Sequence, residues 1–220
     1  MIKINSMKQV VLFALIISCV VLFPTMIGAA KTPDKGASQE WAVIDGFRSA
    51  RFGYKEGDVL RAIKKDFRVD KKGVSRGVNS NEKTVFLMID VKDLLAGSGP
   101  SKVVYIFGYK SKKLIEVKVI WGKLAQKKPN IETIISTAAQ LNNYFRQKRY
   151  QKNGFASYRQ LAEGLILVFQ GKDQKGRAAR LLLSNPKNKD GEADENITLT
   201  IAYIEKPEDP DVFKIKDGDF

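Results

Sequence analysis

The sequence predicts an α+β protein in which helices pack on one face of an antiparallel β-sheet. Two observations predict this class. A stretch with helical spacing of apolar residues, followed by three runs of strand-forming residues, occurs twice in the 220-residue chain. Short turns join the runs, which favours antiparallel meanders and leaves the helices on one side of the sheet. The composition agrees, because 44% apolar and 28% charged residues are typical of a folded globular chain.

The first helix-plus-meander unit follows a segment in which Trp41, Ile44 and Phe47 recur every three residues, which predicts either a short helix or a buried segment. The first long helix is predicted over Glu56–Phe67, because its apolar residues fall on one face and its basic residues on the other. A hairpin turn is predicted at Lys110–Lys113. The three strands of this unit are predicted at Lys83–Val91, Lys102–Tyr109 and Leu114–Trp121.

The second unit repeats this order about 75 residues later. Asn130 is predicted as the N-cap of a helix that runs from Ile131 to about Arg149. Gly176 is predicted to adopt a positive φ in the turn between two strands. The three strands of this unit are predicted at Gly164–Gln170, Arg177–Ser184 and Asn196–Ile204.

These patterns divide the chain into five parts. They are residues 1–30 as a signal peptide or signal anchor, 31–39 as a flexible tether, 40–124 as the first α+β unit, 125–206 as the second, and 207–220 as an acidic tail. The pattern leaves open whether the two units share one core.

The N-terminus has the features of an export signal. Two lysines precede the uncharged run Val10–Ala30, and small residues before Lys31 suit cleavage by a signal peptidase after Ala30. Two alternatives remain open: Val10–Ala30 is long enough to stay as a membrane anchor, and Cys19 lies in a lipobox-like context. All three predict that the remaining chain lies in the periplasm, either free or held at the inner membrane by the N-terminal helix.

The residue types present exclude several kinds of chemistry. The chain has no histidine, and its single cysteine, Cys19, lies in the apolar run. Ser-His-Asp and Cys-His catalysis, His or Cys metal sites and an internal disulfide are therefore excluded. The carboxylates form no paired constellation, and phosphate-binding glycine motifs do not occur. We therefore expect no catalytic residue, cofactor or metal, and a protein that is not an enzyme.

The charge distribution predicts an anionic partner. The formal net charge is +14, with 31 basic and 14 acidic residues between positions 31 and 185, but 5 and 10 from position 186 onward. Two basic clusters are candidate partner-binding surfaces. One is the hairpin tip with Tyr109, Lys110, Lys112 and Lys113, and the other is the helix end with Arg146, Lys148 and Arg149. The alternative is that these lysines only keep an exported protein soluble and that the helix-end cations only favour the macrodipole.

The predicted export of the chain limits its possible partners. Export argues against nucleic acid and leaves an envelope protein or an anionic lipid or lipopolysaccharide surface, with possible membrane contact through Val10–Ala30. The leading hypothesis is a non-enzymatic exported binding protein of the bacterial cell envelope. The alternatives are a membrane-anchored accessory subunit of a larger complex and a binder of anionic lipid. The tail Pro207–Phe220 is predicted either to fray or to fold back over the basic body, or to dock on a partner.

Three stretches carry resemblances to known families. The tandem helix-plus-meander of about 75 residues per copy resembles the architecture of the β-lactamase-inhibitor protein. Phe52–Val59 resembles the helix start of the small outer-membrane lipoproteins of the β-barrel assembly machinery, although Lys55 stands where those proteins carry a hydroxyl N-cap. Phe47–Gly53 and Tyr105–Gly122 resemble uncharacterised exported proteins of Gram-negative bacteria, over about residues 41–185. These resemblances imply this fold and a location in the cell envelope, and they imply no activity.

Overall fold

The fold was obtained as a computed structural model, which describes residues 39–184, 196–215 and 218. The signal, anchor and lipidation hypotheses, most of the predicted tether and the polar loop 185–195 lie outside these residues. Within the described ranges, no helix is both long enough and apolar enough to cross a membrane.

Two helices and one large antiparallel sheet make up the fold. The helices are α1 (Glu56–Phe67) and α2 (Ile131–Phe145). The two short strands β1 (Gly46–Phe47) and β2 (Ala50–Arg51) pair only with each other. The sheet strands are β3 (Ser75–Asn79), β4 (Thr84–Val91), β5 (Ser101–Phe107), β6 (Leu114–Gly122), β7 (Ala156–Ala162), β8 (Leu165–Lys172), β9 (Ala178–Ser184) and β10 (Thr198–Ile204). Their spatial order is β3-β4-β5-β6-β10-β9-β8-β7.

The predicted number of strands was wrong, because each helix is followed by four strands and not three. The two additional strands, β3 and β7, are the edges of the sheet and are largely exposed. Their side chains therefore lack the buried alternation that marks the six interior strands. Gly77 in β3 lies under the ring of Phe86, which occupies the place of a side chain there.

The helix predictions were confirmed except at one end. The predicted and observed limits of α1 agree, and the Asn130 side chain caps α2 by accepting from the Thr133 N–H at 2.8 Å. However, α2 ends at Phe145 and not near Arg149, because the residues after it turn away and pair with the chain that precedes α1. Gly176 has a φ of 78°, as predicted for its turn.

One hydrophobic core lies between the sheet and both helices. Ile63 of α1 and Ile134 of α2 belong to the same buried cluster, together with Val103 from the first half of the sheet and Leu199 from the second. The two halves therefore share one core, a point that the sequence pattern left open. The largest fully buried side chains in it include Trp121, Tyr105, Phe107 and Phe169.

The chain before α1 is a buried segment and not a short helix. We call residues Gln39–Tyr54 the leading segment. Ala42 and Ile44 are buried in the core, and Trp41 forms a parallel bridge with Arg149. The spacing of three therefore does not mark a helical turn: Ile44 lies in the core, Phe47 packs against it, and Trp41 packs against Arg149.

Candidate functional site

The sheet has one face covered by the helices and one face without them, which we call the open face. On β6, Val117 and Val119 are buried under the helices, whereas Glu116, Lys118 and Ile120 point to the open face. The register carries this alternation across the sheet. Partly exposed apolar side chains on the open face are Phe86, Met88, Val104, Ile120 and Leu182.

Charged side chains on the open face have polar partners, which are acids for Lys118 and Lys102 and a neutral amide for Arg180. Lys118 lies 3.5 Å from Glu116 in the centre, and Lys102 lies 2.5 Å from Asp90 towards one edge. Arg180 donates to the side-chain oxygen of Gln170 at 2.9 Å. Burial raises the pKa of the Glu116 carboxyl, although the neighbouring Lys118 acts in the opposite direction. The open face therefore offers apolar patches between two lysine–carboxylate ion pairs and the Arg180 guanidinium.

The C-terminal chain folds back over one end of the open face. We call residues Glu205–Ile215 the strap. It leaves β10 with a hydrogen bond from the Glu205 N–H to the Ile115 carbonyl at 2.9 Å. Its Glu208 carboxylate lies 2.5 Å from the Lys172 ammonium. Of the alternatives for the tail, folding back is the one observed over the described residues 207–215.

Asp211 attaches the strap to the tip of the β5–β6 hairpin. Its carboxylate accepts the backbone N–H of Lys110 at 2.9 Å with one oxygen and that of Ser111 at 2.8 Å with the other. Its carbonyl accepts the N–H of Tyr109 at 2.7 Å. Partial burial opposes ionisation, but hydrogen bonds from Ser111 and from the Lys110 backbone outweigh it and lower the pKa of Asp211. A Cβ at Gly108 would overlap this carboxylate, so the close approach requires glycine.

Phe213 makes the second contact between the strap and the hairpin. Its ring packs edge-on against Tyr109, with 5.6 Å between the ring centroids. Its backbone N–H donates to the Glu82 carbonyl at 2.8 Å in the turn between β3 and β4. The ammonium groups of Lys83 and Lys112 lie near these rings, at 6.0 Å from Phe213 and 5.2 Å from Tyr109 respectively.

A groove of about 1200 Å³ lies between the strap and the open face. Ile106 and Ile115 form part of its floor, and Glu116 and Arg180 add charge there. The strap supplies much of the opposite wall. The groove is thus bounded by a segment that is attached mainly through exposed contacts.

The hairpin lysines place exposed positive charges beside the strap. Lys110, Lys112 and Lys113 are exposed, and Tyr109 is partly exposed. Among residues 39–184 and 196–215, none of these three ammonium groups forms a salt bridge within 4.0 Å, since the strap binds the hairpin through backbone N–H groups.

The second predicted cluster is engaged by the leading segment. Lys148 lies 2.8 Å from the Glu40 carboxylate, and the Arg149 guanidinium lies 4.4 Å from the centre of the Trp41 ring. The Arg146 carbonyl accepts from the Gln39 side chain at 3.1 Å. These contacts attach the chain before α1 to the end of α2, and they share no residue with the contacts of the hairpin.

Two carboxylates with well-defined roles were not predicted from the sequence. Asp173 is buried, and its carboxylate accepts the N–H groups of Ile44, Lys175 and Arg177 at 2.9–3.0 Å. Its position three residues before Gly176 is the signal of a turn that an aspartate can cap. For Asp211, the only signal in the sequence was the acidic composition of the tail.

Comparisons with known proteins supply no family for this chain. No protein-family model, curated protein or solved structure matches it. Within the described part of the chain, no group of three or more His, Cys, Asp or Glu side chains is arranged to hold a metal ion. The geometry of the open face and the strap is therefore the basis for a functional proposal.

Proposed function

We propose that this chain is a non-enzymatic, exported binding protein of the bacterial cell envelope that docks a partner protein on the open face of its sheet. The observation that carries the proposal is the open face itself. Apolar side chains such as Met88, Val104 and Ile120 remain partly exposed there, while the same strands bury their other face under the helices. Aromatic and aliphatic patches between charged residues are typical of protein–protein interfaces.

A protein partner fits this surface better than an anionic lipid. The central charges are paired, as between Glu116 and Lys118, which leaves little net attraction for phosphate.

We also infer that the two halves are tandem copies of one unit. α1 begins at residue 56 and α2 at residue 131, an offset of 75 residues. Each helix is followed by a single turn of 3-10 helix, at Lys71–Gly73 and Lys152–Gly154, and then by four strands. The last strand of each half, β6 and β10, meets its counterpart at the centre of the sheet, which supports a two-fold relation between the copies.

Site-specific photo-crosslinking in living cells tests the proposed function. A photoreactive phenylalanine analogue replaces Lys118 on the open face of the full chain, and the matched control replaces Gln140, an exposed residue of α2. We expect position 118 to crosslink to one defined envelope protein and position 140 not to do so. The N-terminal mass of the same chain tests cleavage after Ala30.

Two results would contradict the proposed function. Identical crosslinks from both positions would mean that the open face has no specific partner. Crosslinks from position 118 to lipid alone would assign the chain to the class of anionic-lipid binders.

A further inference from the structure

We propose that the tip of the β5–β6 hairpin is a recognition site for an acidic segment of a partner protein that carries an aspartate two residues before an aromatic residue, and that the strap occupies this site until the partner displaces it. This inference rests on the proposed function, because it names the chemistry of the partner.

The first part of the site recognises a carboxylate with backbone groups. The N–H groups of Lys110 and Ser111 point to the two oxygens of one carboxylate, and the N–H of Tyr109 points to the carbonyl of the same residue. Two successive N–H donors on a turn, those of Lys110 and Ser111, form an anion-binding concavity. Gly108 leaves the space that the carboxylate fills. An aspartate is therefore the residue that this position selects.

The second part of the site recognises an aromatic residue two positions further along. The Glu82 carbonyl accepts the N–H of Phe213, and the Tyr109 ring provides the surface for its side chain. The Lys83 ammonium lies 6.0 Å from the centre of the Phe213 ring, within reach of a cation–π contact. The Val212 N–H donates to the Pro210 carbonyl at 2.9 Å, so a tight three-residue turn centred on Asp211 sets the spacing between the two parts.

The strap is attached weakly enough to be displaced. The Phe213 side chain is 36% exposed, and the Glu208 side chain in the ion pair with Lys172 is 79% exposed. Exposed ion pairs of this kind contribute little to stability. Pro207 and Pro210 flank the attachment point and offer no N–H for further backbone pairing.

An external segment gains interactions that the strap does not make. The ammonium groups of Lys110, Lys112 and Lys113 are exposed beside the site, and no salt bridge to them occurs in the described part of the chain. A partner segment with additional acidic residues pairs with them, and the basic body accelerates its approach. This charge complementarity favours a partner protein over a second copy of this chain, whose strap brings only the contacts already present.

Peptide binding to the full chain tests the inference. The probe is a fluorescently labelled peptide with the sequence of residues 206–215, which contains the native aspartate and phenylalanine. The receptor is the full chain, either wild type or with Asp211→Ala and Phe213→Ala, which weaken the strap but leave the site intact. We expect the doubly substituted chain to bind the peptide at least about tenfold more tightly, because the wild-type site is already occupied.

Two controls establish where the peptide binds. A peptide with alanine at both recognition positions is expected to bind neither chain. Gly108→Ala, added to the doubly substituted chain, is expected to abolish binding, because its Cβ occupies the space of the carboxylate. Circular dichroism confirms that each variant is folded.

Three outcomes would overturn the inference. The first is equal binding by both chains, and the second is no binding by the folded double variant. The third is a wild-type dimer that the double substitution dissolves, which would make a second copy the occupant. None of these outcomes contradicts the proposed function if position 118 still crosslinks to a defined protein. Peptide binding without such crosslinks would instead separate the hairpin site from the open face.

Discussion

The leading segment and the strap make similar contacts to the rest of the fold but differ in how deeply they are buried. Each one lies beside a basic cluster, and each brings an acid to it: Glu40 approaches Lys148, and Asp211 binds the hairpin that carries Lys110. The leading segment buries Ala42, Ile44 and Ala50 in the core, whereas the strap leaves Phe213 and Ile215 exposed. Ile44 is 5% exposed, and Phe213 is 36% exposed.

This difference in burial indicates that the leading segment is a structural part of the fold and that the strap can be displaced. Displacing the leading segment would expose core side chains and leave the Asp173 carboxylate without its contact to Ile44. Displacing the strap exposes little apolar surface and returns backbone N–H groups to water, which can bond to them. We infer that the hairpin is the better candidate of the two basic clusters for partner binding, because the leading segment already contacts the helix end.

Removal of the Asp173 carboxylate is expected to have the largest effect. Asp173→Ala leaves the N–H groups of Ile44, Lys175 and Arg177 without their acceptor, and we expect a loss of about 3 kcal/mol in the free energy of unfolding. Asp211→Ala, which removes the same kind of contact from the strap, is expected to cost less than about 1 kcal/mol. Urea unfolding followed by tryptophan fluorescence measures both.

The matched control for this comparison is Asp173→Asn. It keeps the oxygen that accepts from Lys175 and Arg177 and replaces the one that accepts from Ile44. Its effect is expected to lie between those of wild type and Asp173→Ala. Equal destabilisation by Asp173→Ala and Asp211→Ala would remove the distinction between the two segments.

Truncation of an apolar side chain in each segment is expected to show the same contrast. Ile44→Ala creates a cavity in the core and is expected to cost about 3 kcal/mol. Phe213→Ala removes a ring that is partly solvated already, and we expect a loss below about 1 kcal/mol. Thermal unfolding at one protein concentration measures both variants. A larger loss for Phe213→Ala would mean that the strap is part of the core.

The fold was predictable where one side of an element is buried. Helix α1 was predicted with its observed limits, because burial of one face imposes apolar spacing on all three turns. The interior strands of the sheet were predicted for the equivalent reason. The edge strands β3 and β7 were missed, because exposure removes the selection for alternation. The end of α2 depends on pairing with Trp41, a tertiary contact that no local pattern contains.

The candidate site was predictable only in part. The hairpin and its lysines were identified from turn and charge patterns, and the acidic tail was given three alternatives. Choosing between those alternatives requires the orientation of the Lys110 and Ser111 N–H groups and the space at Gly108. These are properties of the folded turn, and composition does not encode them.

Gly108→Ala is expected to release the strap with only a small change in overall stability. The added Cβ overlaps the Asp211 carboxylate, so the hydrogen bonds to Lys110 and Ser111 are lost while the core is unchanged. Amide hydrogen exchange should show faster exchange at these two N–H groups and unchanged exchange in β5 and β6. Lys113→Ala in the same hairpin is the control and should leave the exchange of both groups slow. Slow exchange in Gly108→Ala would mean that Asp211 does not provide the protection.

Acidification is expected to release the strap without unfolding the chain. Hydrogen bonds from Ser111 and Lys110 outweigh partial burial and lower the pKa of Asp211 below its ordinary value of 3.8. Its contribution is therefore complete above that value and is lost as the pH falls through the lowered pKa. NMR should show the Lys110 and Ser111 amide signals moving together below pH 3.8. Asp211→Asn keeps one acceptor oxygen but cannot ionise, so its amide signals should show no such step. A step that persists in Asp211→Asn would assign the transition to another carboxylate, and the strap would then be retained by contacts other than this charge.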